Sequence, residues 1–311
     1  MRREWNHCEV TATATKTEAG APPPVRRFKG VWPQWLLHHR IPRLWQELLL
    51  IGVGYYLYRE ARNLVPNQPG IAHRHGRSVQ WLQDKLHLNF ELSVNHFVDR
   101  NEWLAQSMDY YYATLHFIIT IAVLVWLFVA RKRVYRGMRT ALFATTLIGL
   151  AGFFLYPLAP PRLLPQYGYI DTLAKYHTWG SLADPNVAEH TNQFAAMPSL
   201  HIAWATWCAV AVFYCAKPWW LRTLAVLYPV FTLMVIVGTA NHFIIDAVGG
   251  WIVLAAGFGV QWLMSGHPAH EPAPDPPEDV APPSWLRRPV WLRWPWTRPN
   301  QPRVTDDNIA G

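Results

Sequence analysis

The stretch AAMPSLHIAW, Ala195 to Trp204, stands at the front edge of a long apolar run. Pro198 and Ser199 mark where a helix opens, because proline presets the backbone of a first turn and serine caps its free amides. His201 follows at once, and from Ser199 to Ala216 no Asp, Glu, Lys or Arg occurs. A titratable ring at the mouth of an apolar helix needs a physical reason. The rest of the chain supplies one.

Of the 311 residues, 51% are hydrophobic and 15% are charged. The apolar residues gather into blocks about as long as a bilayer is thick, separated by polar or basic segments. The expected fold is an all-α, polytopic membrane six-helix bundle. Its spans are Leu44–Tyr58, Ala113–Ala130, Thr140–Leu158, Ser199–Ala216, Leu221–Gly238 and Phe243–Met264. The first is short and carries Gln46 and Glu47; the fifth contains Pro229, which should kink it. The first thirty residues lack the apolar core and cleavage site of a signal peptide. Both tails are therefore expected in the cytoplasm of a cell-membrane protein.

That orientation agrees with the basic residues. The inner loops would hold Arg131, Lys132, Arg133, Arg136 and Arg139, then Lys217 and Arg222. The outer segment Ala159–Pro198 has only Arg162 and Lys175, which fits the positive-inside rule. The loop Arg59–Tyr112 is the exception, with six basic residues in 54. The net charge of +8 thus reads as membrane orientation and anionic-lipid contact rather than nucleic acid. Cys208 and Cys215 sit about 10 Å apart along one helix, too far to bridge, and Cys8 lies in a tail.

Residues 1–30 read as a disordered cytoplasmic tail and 265–311 as a Pro/Trp/Arg-rich cytoplasmic tail, flanking a catalytic membrane domain over 31–264. The second tail carries eleven prolines and the segment SWLRRPVWLRWPWTR, Ser284 to Arg298, which suits a headgroup layer. Within Arg59–Tyr112, apolar residues recur at three- and four-residue spacing at Trp81, Leu82, Leu86, Phe90 and Val94. This predicts an interfacial helix over Val79–Val98 on the outer face.

Ionisable residues at membrane depth are costly and mark function. The topology brings four of them to the outer side: Arg162 after the third span, His201 at the start of the fourth, and His242 and Asp246 at the start of the sixth. Forty-one residues separate the two histidines, as two antiparallel spans and a turn require. His242 and Asp246 are four apart and share one helix face. The Asp246 carboxylate would accept a hydrogen bond from His242 Nδ1–H, leaving Nε2 free as a more basic nucleophile. The helix opening at Ser199 and the planar fork of Arg162 suit a phosphate. The constellation describes phosphoryl transfer, with His242 attacking phosphorus and His201 as general acid and base. Asn192, Tyr112, His116 and Asn241 fall near the same face and are candidate lining residues. Singly, each histidine also fits an interfacial residue and the arginine a lipid anchor; the joint spacing favours a site.

PSLH (Pro198–His201) and HFIID (His242–Asp246) resemble the second and third signature motifs of the type 2 phosphatidic acid phosphatase superfamily. The phrases NQFAAMPSLHIAW, YPLAPPRLLP and GTANHFIIDAVGGW look like its inositol phosphorylceramide synthase branch. The resemblance runs from about Leu44 to Met264. It implies a metal-independent phosphohistidine mechanism with no cofactor. It also implies His242 as nucleophile, Asp246 as its orienting group, His201 as acid/base, and Arg162 as the first-motif arginine. Where the superfamily has two further cations, this chain has Leu155 and Ile236. Arg74, Arg77 and Lys175 are the candidates to replace them. The implied substrate is a membrane lipid phosphate, with water or a lipid alcohol as acceptor and no nucleic-acid partner. Two rival readings stand beside this one: a metal-dependent hydrolase with His201, His242 and Asp246 as ligands, and a non-enzymatic lipid-binding protein or transporter.

Overall fold

The computed structural model describes residues 30–31, 44–63, 68–178 and 193–272. Asn192, nearly all of both tails and the Trp/Arg segment Ser284–Arg298 lie outside the described residues. The described chain is all-helical: α1 (Leu44–Asn63), α2 (Pro69–Lys85), α3 (Phe90–Asp99), α4 (Glu102–Ala130), α5 (Lys132–Leu155), α6 (Leu200–Cys215), α7 (Trp219–Gly238) and α8 (Ile244–Ser265). Short turns at Pro161–Leu163, Pro165–Tyr167 and Thr172–Lys175 punctuate the segment after α5.

Four of these helices, α4, α5, α7 and α8, are long and apolar enough to cross a membrane. The other two expected spans are helical but depart from the expectation. Helix α6 has 16 residues, about 24 Å, which is less than a hydrocarbon core. Helix α1 has 20 residues but keeps Glu47. That carboxylate is buried and paired, accepting from Arg139 and from the Tyr135 hydroxyl at 2.7 Å. Pro229 lies inside α7 without ending it.

Helix α6 packs against α7, α8 and α4, and α8 lies along α5. Trp207, fully buried on α6, donates from its indole to the Met138 carbonyl on α5 at 2.9 Å. The outward faces of α4, α7 and α8 are apolar, with Ile121, Val129, Leu227 and Ile252 exposed. Helices in lipid gain little from burying such residues and associate instead through close backbone packing at small side chains. Gly250 and Gly257 serve that role here. A Cβ on Gly250 would lie 2.4 Å from the Ser199 carbonyl oxygen, and one on Gly257 would lie 2.1 Å from Thr145 Oγ1. Gly250→Ala is expected to force α8 away from the start of α6 and to cost about 1–3 kcal/mol. Thermal unfolding in detergent checks this, with Gly52→Ala, which meets nothing within 4 Å, expected to be neutral.

The loop between α1 and α4 differs from its sequence reading. In place of one helix over Val79–Val98 there are two, α2 and α3, broken at Leu86–Asn89 with His87 at φ 56°. The buried face is also different. Trp81, Leu82, Leu86 and Phe90 are exposed, whereas Gln80, Gln83, Glu91 and Asn95 are buried against the bundle. The physical reason is that Gln83, Glu91 and Asn95 satisfy backbone atoms of neighbouring segments, an opportunity that apolar periodicity does not register.

Candidate active site

At one end of the bundle the chain leaves α5, enters α6, leaves α7 and enters α8. Three backbone hydrogen bonds tie these junctions together. Ser199 N donates to the Asp246 carbonyl at 2.9 Å, joining the starts of α6 and α8. Arg162 N donates to the Ala240 carbonyl at 3.0 Å, joining the segment after α5 to the α7–α8 turn. His242 N donates to the Ile236 carbonyl at 3.1 Å and folds that turn back onto α7. Ala240 adopts φ 52°, which the sharp reversal requires.

These links bring the two histidines together, with ring centroids 5.6 Å apart and ring planes tilted by 59°. Tyr112 stacks on His201 at 4.2 Å and lies 6.1 Å from His242. His116, fully buried, lies 4.8 Å from His201. A five-residue π-helical turn in α4, Tyr111–Leu115, contains Tyr112 and ends just before His116. Such turns shift the side-chain register and recur at functional sites. The Tyr111 hydroxyl anchors this one on Thr232 Oγ1 at 2.6 Å.

His242 does not share a helix with Asp246 in the way its spacing predicts. Helix α8 starts at Ile244, so His242 precedes it and Asp246 lies in its first turn. Asp246 Oδ2 accepts from Phe243 N at 2.9 Å and stands 3.4 Å from His242 Nδ1, longer than an ordinary hydrogen bond. The carboxylate thus closes the helix end as well as facing the ring.

The distinctive feature is a set of buried polar atoms without hydrogen-bond partners: both ring nitrogens of His242, Ser199 Oγ, Asp246 Oδ1 and Arg162 Nε. Buried polar groups are almost always paired, so a cluster of exceptions at one place marks where a polar ligand belongs. The two helix starts differ in what they offer such a ligand. At α8, Ile244 N donates to Glu91 Oε1 at 2.5 Å and Ile245 N to Gln83 Oε1 at 3.3 Å. Its anion-binding end is already filled by side chains of α3 and α2. At α6, Ser199 makes no side-chain cap, and the first-turn amides have no acceptor within the helix.

Arg162 is buried and donates to Asp171 Oδ2 at 2.9 Å and to Gln193 Oε1 at 3.3 Å. Asn241 is buried and donates to Thr239 Oγ1 at 2.8 Å. That bond braces the turn that carries His242. Lys175 is tied to Asp99 at 2.6 Å, so its ammonium is engaged elsewhere. Among the described residues no three His, Cys, Asp or Glu side chains converge as a metal site, and the metal-dependent reading finds no ligand set.

Sequence reasoning missed Glu91, Gln83 and Asn95. Asn95 donates to the carbonyls of Gly238, at 2.9 Å, and Ile170, at 3.0 Å. Glu91 also accepts from Gln83 Nε2 at 2.9 Å. The available signal was three uncharged-or-acidic polar residues spaced along a segment otherwise marked by exposed aromatic and basic residues. Burial, with the negative charge of Asp246 adding to it, pushes the Glu91 carboxyl up to about 7.

No curated protein matches the chain, and no solved structure matches it. A family model described as the PAP2 superfamily matches residues 77–260, more than half of the chain, from α2 through α8. With PSLH and HFIID meeting at one end of that matched region, the chain belongs to the PAP2 superfamily, whose phosphatase-type chemistry on lipid phosphates makes it an enzyme of a membrane.

Proposed function

We propose that the protein is a multi-pass enzyme that transfers phosphate from a membrane lipid through a phosphohistidine. The observation that carries this is the buried, unpartnered His242 ring facing His201 beside the open start of α6. His242 Nε2 attacks phosphorus. The P–O bond to the leaving alcohol breaks, and His201 gives that oxygen its proton. A P–N bond now holds the phosphoryl group. His201 then takes a proton from the incoming hydroxyl, whose oxygen attacks phosphorus and breaks the P–N bond. Asp246 steadies the positive charge that develops on His242. Phosphate oxygens rest at the α6 first turn and Ser199, with Arg162 close by, because Glu91 and Gln83 occupy the corresponding end of α8.

The incoming hydroxyl belongs to water or to a lipid alcohol. The absence of the two further cations, at Leu155 and Ile236, lowers the positive charge near phosphorus. That favours a phosphodiester donor such as an inositol phospholipid, and with it transfer in the manner of inositol phosphorylceramide synthases. The basic segment Arg131–Arg139 supports cytoplasmic placement of the opposite end, and with it a site at the outer face and both termini inside.

The test uses purified enzyme with phosphatidic acid, a polyprenyl phosphate and phosphatidylinositol, each with and without a lipid alcohol. Products are followed by mass spectrometry. A phosphorylated or inositol-phosphorylated alcohol is the expected product when alcohol is present. Free phosphate at an unchanged rate under all conditions would reduce the activity to hydrolysis. No turnover of any lipid phosphate would remove the proposal.

Arg162→Lys gives a narrower check. Lysine keeps the charge but loses the fork held by Asp171 and Gln193. It is expected to lower kcat/KM by about tenfold to a hundredfold, against less than about twofold for Lys175→Gln.

A further inference from the structure

Helix α2 carries His73, Arg74, His75, Arg77 and Lys85, and Asp84 is the one acid among its residues. The Asp84 carboxylate accepts from Gln80 at 2.9 Å. Arg74 and Arg77 are exposed, and neither pairs with an acidic side chain among the described residues. They line an open cavity of about 510 Å³ together with Ser78, Trp81, Leu82 and Tyr156.

The cavity lies next to the candidate active site. Val79, also in its wall, belongs to a buried cluster with Ala159, Ala196 and Phe243, which immediately follows His242. The Tyr156 ring is stacked on His75 at 4.1 Å, and His75 Nδ1 is 2.8 Å from the Pro157 carbonyl oxygen, which fixes the wall.

We infer that this cavity binds the phosphodiester headgroup of an anionic phospholipid, with Arg74 and Arg77 on its phosphate and Trp81 and Leu82 against its glycerol and upper acyl chain. The inference rests on the proposed placement of this end of the molecule at the outer face. Basic residues on a translocated loop run against the orientation rule, and an anionic ligand gives them a purpose. A free phosphate would use the arginines but not the apolar rim, where Trp81 and Leu82 stand exposed. A lipid headgroup uses both.

The test is lipid retention by the purified full-length chain, measured by native mass spectrometry with equimolar phosphatidylglycerol and phosphatidylcholine. Wild type is expected to retain phosphatidylglycerol preferentially. The double variant Arg74→Gln, Arg77→Gln is expected to lose that preference by about tenfold. Arg74→Lys with Arg77→Lys should keep most of it. His242→Ala should bind like wild type, which separates this binding from the proposed catalysis. Equal retention of both lipids by wild type, or an unchanged preference in the glutamine variant, would overturn the inference. So would displacement of the lipid by soluble glycerol phosphate at equal concentration, because the apolar rim would then contribute nothing.

Discussion

His242→Ala is expected to lower lipid phosphate turnover by about 10⁵-fold, a loss on the scale seen when a covalent nucleophile is removed from other enzymes. No other described side chain shares its position. Its two ring nitrogens are buried and unpartnered, and the ring faces His201 across 5.6 Å. Alanine leaves the fold intact, since the turn is held by backbone bonds from Arg162 N and His242 N. His201→Gln should cost about 10²–10³-fold, the usual weight of one proton transfer. The two variants should differ in a second way. From a nitrophenyl phosphate the nitrophenolate leaves without needing a proton, so His201→Gln should still form the acid-labile phosphoenzyme from it. His242→Ala should form none. Turnover by His242→Ala within tenfold of wild type would place the nucleophile elsewhere.

Much of the site was legible because it depends on short-range chain geometry. His201 and His242 meet because two antiparallel helices and a turn separate them, a relation that spacing alone carries. Tyr112 and His116 reach His201 from α4, as their position near one membrane face suggested. Two relations were misread for local reasons. Helix α8 begins after His242, since the Asp246 carboxylate caps Phe243 N and stops the helix from extending backward. Helices α2 and α3 turn their polar face inward. Hydrophobic periodicity assumes that apolar residues seek the interior, and that assumption fails where the exterior includes lipid and the interior offers bare helix ends. The partners of Arg162, Asp171 and Gln193, lay outside reach for another reason. Gln193 is 31 residues away, and no periodicity links the two.

The inward polar face leads to the second large effect. Glu91→Ala is expected to destabilise the protein by about 3–5 kcal/mol. It strips the acceptor from the part-buried Ile244 N and from the buried Gln83 Nε2, at about 1–3 kcal/mol for each unsatisfied donor, and leaves a gap besides. Because Ile244 begins the helix that carries Asp246, activity should fall at temperatures where the fold persists. Glu91→Gln separates charge from shape. In wild type the carboxyl sits at about 7 against an ordinary 4.5, raised by burial and then by Asp246, and opposed by the donors Ile244 N, Gln83 and Tyr169. The folded state therefore holds the proton more tightly than the unfolded chain. Stability is full below about pH 4.5, falls as the pH rises toward 7, and has lost about 3 kcal/mol above it. Glutamine does not ionise, so its variant should lack this slope. Unfolding midpoints measured from pH 5 to pH 8 should fall more steeply for wild type than for Glu91→Gln, while the other titrating groups contribute equally to both. Parallel curves would mean that Glu91 keeps its charge across the range. It would then hold the start of α8 as a fixed anion, and the coupling between the loop helices and the catalytic turn would not vary with pH.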